Sequence, residues 1–98
     1  MTTDLSKLKI IGFDWDEGNK YKNWEKHRVN FHECEEVFFN KPIVLLHDKK
    51  HSQKEERFIT LGITNSKRRL IVSFTIRNNK IRIISARSQS QKERKIYG

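Results

Sequence analysis

Asn78-Asn79 stands between two runs of alternating character, Leu70-Ile71-Val72-Ser73-Phe74-Thr75-Ile76-Arg77 and Lys80-Ile81-Arg82-Ile83-Ile84-Ser85-Ala86-Arg87. Asparagine tolerates the positive φ that a type I′ turn needs at both central positions, so the pair marks a two-residue hairpin. That turn fixes a register: Ile76 faces Ile81, Thr75 faces Arg82 and Phe74 faces Ile83. A chain with this hairpin is committed to an antiparallel sheet with one apolar face. Upstream, Ile59, Leu61 and Ile63 also alternate. A tight turn around Asn65-Ser66-Lys67-Arg68 would set Leu61 against Val72 and Ile59 against Phe74. One face then gathers Ile59, Leu61, Ile63, Leu70, Val72, Phe74, Ile76, Ile81 and Ile83. The other gathers Glu56, Phe58, Thr60, Ser73, Thr75, Arg77 and Arg82, and a one-residue slip would exchange the sets.

The rest of the chain supplies what covers the oily face. Residues 8–15 read as a first strand, with apolar side chains at Ile11, Phe13 and Trp15. Asp16 is a suitable N-cap for a short basic helix with Tyr21 and Trp24 on one face. Phe31, Cys34, Val37 and Phe38 fall at helical spacing with Glu33, Glu35 and Glu36 outside, and Asn40 and Pro42 stop this second helix. Residues 43–46 form a short apolar run, 48–54 a polar loop, 80–87 the last strand and 89–97 a terminal helix. With one proline, no repeat and no linker, residues 1–98 read as a single α+β domain. Its sheet is mostly antiparallel, with two N-terminal helices packed on one face and a short C-terminal helix.

Charge narrows the partners. The 21 Lys+Arg against 12 Asp+Glu give a net charge of +9, which favours nucleic acid or an acidic protein. No run approaches the roughly 20 apolar residues of a membrane span, and residues 1–6 lack the basic start and apolar run of a secretory signal. The single cysteine, Cys34, leaves no internal disulfide and fits a reducing, cytoplasmic setting.

The polar face suits RNA: arginines hold phosphates in bidentate contacts, and Phe58 is positioned to stack an unpaired base. Cutting RNA without a metal needs a base for the 2′-OH, an acid for the leaving 5′-oxygen and cations around the transition state. His51 or Glu55 would supply the base, and Arg57, Arg77, Arg82 and Arg87 the charge. Structural roles compete for each of these residues. Glu55 and Arg57 make a surface ion pair in that alternative, His51 caps a turn, and Arg87 with Glu93-Arg94 pins the last helix. His32-x-Cys34 and His47-x-x-x-His51 match no closed zinc motif. Gly12, Gly18, Gly62 and Gly98 are too scattered for a phosphate loop, so no metal and no cofactor are expected. Cys34 reads as a core cysteine, and Trp15, Tyr21 and Trp24 read as packing residues.

Three segments, spanning Phe13 to Tyr97, carry a family likeness. The first is Phe13-Asp14-Trp15-Asp16 with Asn23, Lys26-His27, Val29 and Phe31. The second is Asp48-x-x-His51-Ser52-x-x-Glu55-Glu56-Arg57-Phe58 leading to Gly62. The third is Arg82-Ile83-Ile84-Ser85-Ala86-Arg87, then Glu93-Arg94 and Tyr97. In these the sequence resembles the BrnT toxins. The resemblance implies a RelE-like fold and a metal-independent endoribonuclease that arrests translation. Attack by the 2′-OH would leave a cyclic phosphate and a 5′-hydroxyl. It implies a BrnA-type antitoxin as partner in a hetero-oligomer, with the toxin alone monomeric or weakly dimeric, and no membrane association. The catalytic candidates are His51, Glu55, Arg57, Arg82 and Arg87; the RNA-binding candidates are Phe58, Arg77, Lys80 and Tyr97. The alternatives are a non-catalytic basic module that binds RNA or protein and a degenerate toxin that keeps only antitoxin binding. The chain departs from the family pattern in a few places. Arg28 stands where the family has Gly, Asn19 replaces a common Lys, Cys34 replaces Ala, and residues 88–91 are more polar. If the family Gly is a helix C-cap with positive φ, either Arg28 bears roughly 1 kcal/mol of strain or the loop has changed.

Overall fold

The structure, a computed structural model, describes residues 10–51 and 53–98. Expectations for residues 1–9 and for Ser52 therefore lie outside the described residues. In chain order the elements are β1 (Gly12–Phe13), α1 (Glu17–Lys20), α2 (Lys22–His27), α3 (Phe31–Glu36), β2 (Val44–His47), a 3-10 turn (Lys49–His51), β3 (Arg57–Ile63), β4 (Arg69–Arg77), β5 (Lys80–Ser88) and α4 (Gln91–Tyr97). The five strands run β1-β5-β4-β3-β2, antiparallel except for the β1–β5 pair. This is the expected α+β class, and among the described residues the first strand is Gly12–Phe13. Among the described residues no helix is long and apolar enough to cross a membrane.

The β4–β5 hairpin forms as its sequence demands. Asn78 and Asn79 have φ of 51° and 63°, and Ile76 pairs with Ile81, Thr75 with Arg82 and Phe74 with Ile83. Farther along, Ser73 pairs with Ser85, so Ile84 is the extra residue of a β-bulge. The bulge changes the phase of β5, which lets Ile83 and Ala86 both reach the core.

The β3–β4 register corrects the sequence expectation by one residue. Phe58 pairs with Phe74, Thr60 with Val72 and Gly62 with Leu70. The cause is the turn. Thr64 N–H donates to the Arg68 carbonyl at 2.9 Å, leaving Asn65, Ser66 and Lys67 between them, with Lys67 left-handed at φ 71°. A three-residue loop ending in a left-handed residue has odd length and moves the pairing by one. The Thr64 hydroxyl reinforces it by accepting from Arg68 N–H at 3.0 Å. On β3, therefore, Phe58, Thr60 and Gly62 face the core, and Arg57, Ile59, Leu61 and Ile63 take the other side.

The core joins Val29, Cys34 and Val37 to Phe58, Leu70, Val72, Phe74, Ile81, Ile83 and Ala86. Phe58 stacks on Phe74 at 5.5 Å, and Phe38 meets Phe74 edge-on at 5.0 Å. Gly62 lies directly under the end of α3: a Cβ there would stand 2.9 Å from Val37 Cβ and 3.2 Å from the Val37 carbonyl oxygen.

The first helical segment docks differently from its expected aromatic face. Tyr21 and Trp24 are 51% and 46% exposed, while Asn23 is buried. The reason is the open edge of β5. Beyond its short pairing with β1, this strand presents backbone groups that need partners. Asn19 Nδ2 donates to Ile83 O at 2.6 Å, Lys22 Nζ donates to Ile84 O at 2.5 Å, and Ala86 N–H donates to Asn23 Oδ1 at 3.1 Å. Polar side chains thus close an edge where a strand would otherwise add. Trp15 does pack against the core, and its Nε1–H donates to Glu35 at 2.8 Å.

Arg28 caps α2 in the left-handed region at φ 55° and ψ 37°. Arg68 braces the same helix end, donating to the Arg28 and His27 carbonyls at 2.7 and 3.1 Å. Arg28→Gly removes the Cβ strain, worth about 1 kcal/mol. It also removes a guanidinium 5.5 Å from the Trp24 ring centroid, worth about 0.5 kcal/mol at an exposed site. The net expectation is a more stable protein, with thermal melting raised by about 1–4 °C.

Candidate active site

Strand alternation and the corrected register build the site from three neighbouring strands. Arg57 pairs with Thr75, and Thr75 with Arg82. Laterally paired residues share a face, so the three form a row across β3, β4 and β5 on the side away from the core. Thr75 Oγ1 donates to Glu56 O at 2.6 Å, tying the entry to β3 against β4. Arg77 is two residues along β4 on the same face and grips Glu55 with both arms, Nε to Oε2 at 3.0 Å and Nη2 to Oε1 at 2.8 Å. This contact holds the Glu55 carboxyl below its usual range, helped by the fields of Arg77, Arg57 and Arg82. A carboxylate so stabilised is a weak proton acceptor at neutral pH.

Arg82 is held from the other side. Nη2 donates to Asp16 Oδ2 at 2.7 Å, and Nη1 lies 3.4 Å from Asp14 Oδ2. Asp16 serves two elements, because its Oδ1 accepts from Asn19 N–H at 2.7 Å and caps α1. The Arg82 hydrogen bond, then the Asn19 one, lowers its pKa from the ordinary aspartate value. The Phe13-Asp14-Trp15-Asp16 motif thereby divides its labour: Phe13 and Trp15 pack against the core, and the two aspartates aim Arg82.

His51 reaches this cluster from the loop after β2. Asp48 N–H donates to Arg57 O at 2.8 Å, pinning the loop to the start of β3. The 3-10 turn then carries His51 back over Asp48, with Nδ1 at 2.9 Å from Asp48 Oδ2. An open cavity of about 320 Å³ is lined by Lys50, His51, Gln53, Lys54, Glu55 and Arg57. His51, Glu55 and Arg57 therefore share one cavity, with Arg77 bonded to Glu55 and Arg82 two strands away.

The other candidates are elsewhere. Phe58 is only 5% exposed and stacked in the core, which corrects its expected place on the polar face and leaves it unable to stack a base. Arg87 lies five residues beyond Arg82 on β5, about 15 Å along an extended strand. It forms a bidentate pair with Glu93, both contacts at 2.8 Å. That pair pulls the Glu93 carboxyl down to about 2, through the Arg87 hydrogen bond first and the α4 capping bonds to Ser90 after it. Tyr97 is buried, its hydroxyl donating to Pro42 O at 2.6 Å. Both residues dock α4 against the sheet. Lys80 is exposed beside the hairpin turn, paired with Arg77 and Gly12.

Three acids escaped the sequence reading as site partners: Asp14, Asp16 and Asp48. Alternation in the first motif already put Asp14 and Asp16 opposite Phe13 and Trp15, which was the available signal. Cys34 is a core residue as expected; burial first, then the nearby Glu33 and Glu35, push its thiol up to about 12. It stays protonated and unreactive at neutral pH. Among the described residues no three His, Cys, Asp or Glu side chains gather in a metal-binding group.

The cluster sets an imidazole beside a concentration of guanidinium groups on an open sheet face, an arrangement suited to holding a phosphodiester near a proton acceptor. Comparison with known families bears on that chemistry. No curated protein matches the chain. The family model for the BrnT ribonuclease toxin of type II toxin–antitoxin systems matches residues 15–93. The matched span includes His51, Glu55, Arg57, Arg77, Arg82 and Arg87, and stops short of Tyr97. A family of this kind implies an antitoxin partner and an RNA target. The chain belongs to the BrnT family of ribonuclease toxins.

Proposed function

We propose that this protein is a RelE-like, metal-independent endoribonuclease that acts in the cytoplasm, inhibits translation, and is neutralised by a BrnA-type antitoxin. The observation that carries the reading is the Arg57–Thr75–Arg82 row with His51 and Glu55 at its end. In this mechanism His51 takes the 2′-OH proton. The 2′-oxygen attacks the adjacent phosphorus as the bond to the 5′-oxygen breaks, a cyclic phosphate forms, and the leaving 5′-oxygen takes up a proton from water. Arg57 and Arg82 neutralise the charge that grows on the phosphoryl oxygens. Arg77 acts through Glu55, keeping that carboxylate off the phosphate, and Lys80 extends the positive surface along the hairpin. Arg87 and Tyr97, in their α4 contacts, serve the fold.

The net charge of +9 supports both RNA binding and capture by an acidic antitoxin. The test is cleavage of a defined RNA by purified protein in EDTA, with and without translating ribosomes, followed by end-group analysis. Cyclic-phosphate and 5′-hydroxyl ends, abolished by the partner encoded beside the toxin, are expected. Binding without cleavage under both conditions would leave the non-catalytic module. That second reading draws on the pairing of Arg77, Arg82 and Arg87 with carboxylates.

A further inference from the structure

An imidazole is useful as a base only if the nitrogen presented to the substrate carries the lone pair. The two ring nitrogens of His51 are not equivalent here. Nδ1 lies 2.9 Å from Asp48 Oδ2, and an ionised carboxylate only accepts hydrogen bonds. With Asp48 ionised and the ring neutral, that contact puts the proton on Nδ1 and leaves Nε2 as the acceptor. The carboxylate is also the better-anchored partner. Its side chain is 14% exposed against 54% for His51, and its backbone is fixed to β3 through Arg57 O.

The electrical setting points the same way. Lys50, Lys54 and Arg57 line the cavity with His51, and Glu55 is already committed to Arg77. Taking a proton onto His51 would add one more positive charge to this ring of cations. A carboxylate touching the ring offsets that charge as it appears.

We infer that Asp48 is a positioning residue: it locks His51 in the Nδ1–H tautomer, leaves Nε2 to accept the 2′-OH proton, and balances the imidazolium that results. The inference rests on the proposed role of His51 as base.

Two measurements test it. The first needs no activity: long-range 1H–15N spectra of the histidine rings in the intact protein should show His51 with the proton on Nδ1 and a bare Nε2. A resting ring protonated on Nε2 overturns the inference. The second is a double-mutant cycle on RNA cleavage. Asp48→Asn should lower kcat about 10- to 100-fold with KM unchanged, and Asp48→Glu should recover part of the loss. In a His51→Ala background, Asp48→Asn should change the rate by less than about 2-fold, because the group it orients is gone. Parental kcat in Asp48→Asn, or the same fold loss with and without His51, overturns the role. Cleavage at the parental rate by His51→Ala would strike the base assignment itself, and so is distinguishable from failure of Asp48 alone.

Discussion

Arg82→Ala is expected to cleave RNA about 10²- to 10³-fold more slowly than the parent, the usual cost of removing one preorganised donor from a site of developing negative charge. The loss should fall on kcat more than on KM, because the guanidinium matters most as charge grows on the phosphoryl oxygens. Stability should change by no more than about 1 kcal/mol. The carboxylates left behind, Asp14 and Asp16, are 38% and 52% exposed and are readily solvated. Arg82→Lys should also be slow, since an ammonium cannot span two carboxylates and a phosphate with a rigid fork. Single-turnover cleavage together with a thermal melt separates chemistry from folding. A variant that unfolds would make Arg82 a pin between β5 and the N-terminal motif.

Gly62→Ala carries the largest expected loss of stability, about 1–3 kcal/mol for overpacking a close contact. The added Cβ would meet Val37 Cβ at 2.9 Å and the Val37 carbonyl at 3.2 Å. One of those atoms is backbone, so a rotamer change cannot relieve the clash. Relief requires the end of α3 to lift from the sheet, opening the contact of Val37 with the core. Urea unfolding should show a lower midpoint, and a larger residue such as Leu at position 62 should be worse. A midpoint equal to the parent's would mean that α3 shifts freely over β3.

The two hairpins show what local sequence encodes. Asn78-Asn79 specifies its own turn, so the pairing of Ile76 with Ile81 and Thr75 with Arg82 was readable from residue types alone. Between β3 and β4 the alternation of Ile59, Leu61 and Ile63 was read correctly as strand but assigned to the wrong face. The deciding factor was a left-handed Lys67, a residue with no preference for that conformation. The slip had a cost at the site, because it sent Phe58 into the core and brought Arg57 into the row with Arg82. His51, Glu55 and Arg57 were legible as a group because they are close in sequence. Their acidic partners were less so: Asp14 and Asp16 reach Arg82 only through the long-range β1–β5 pairing. Tyr21 and Trp24 do pack, on Phe31 and under the Arg28 guanidinium, but stay about half exposed, because helical spacing reports a shared face and not what that face meets. In this chain the needs of a free strand edge overrode aromatic burial, and Asn19, Lys22 and Asn23 turned inward.

The same β1–β5 pairing sets an order of events during synthesis. A chain leaves the ribosome N-terminus first, so Gly12 and Phe13 emerge long before Lys80 and Ile81, the residues they pair with. Asp14 and Asp16 have no arginine to aim until the β4–β5 hairpin is out, and Arg57 has no neighbour in its row until Thr75 arrives. A nascent ribonuclease of this design carries no assembled site while most of its length is being translated.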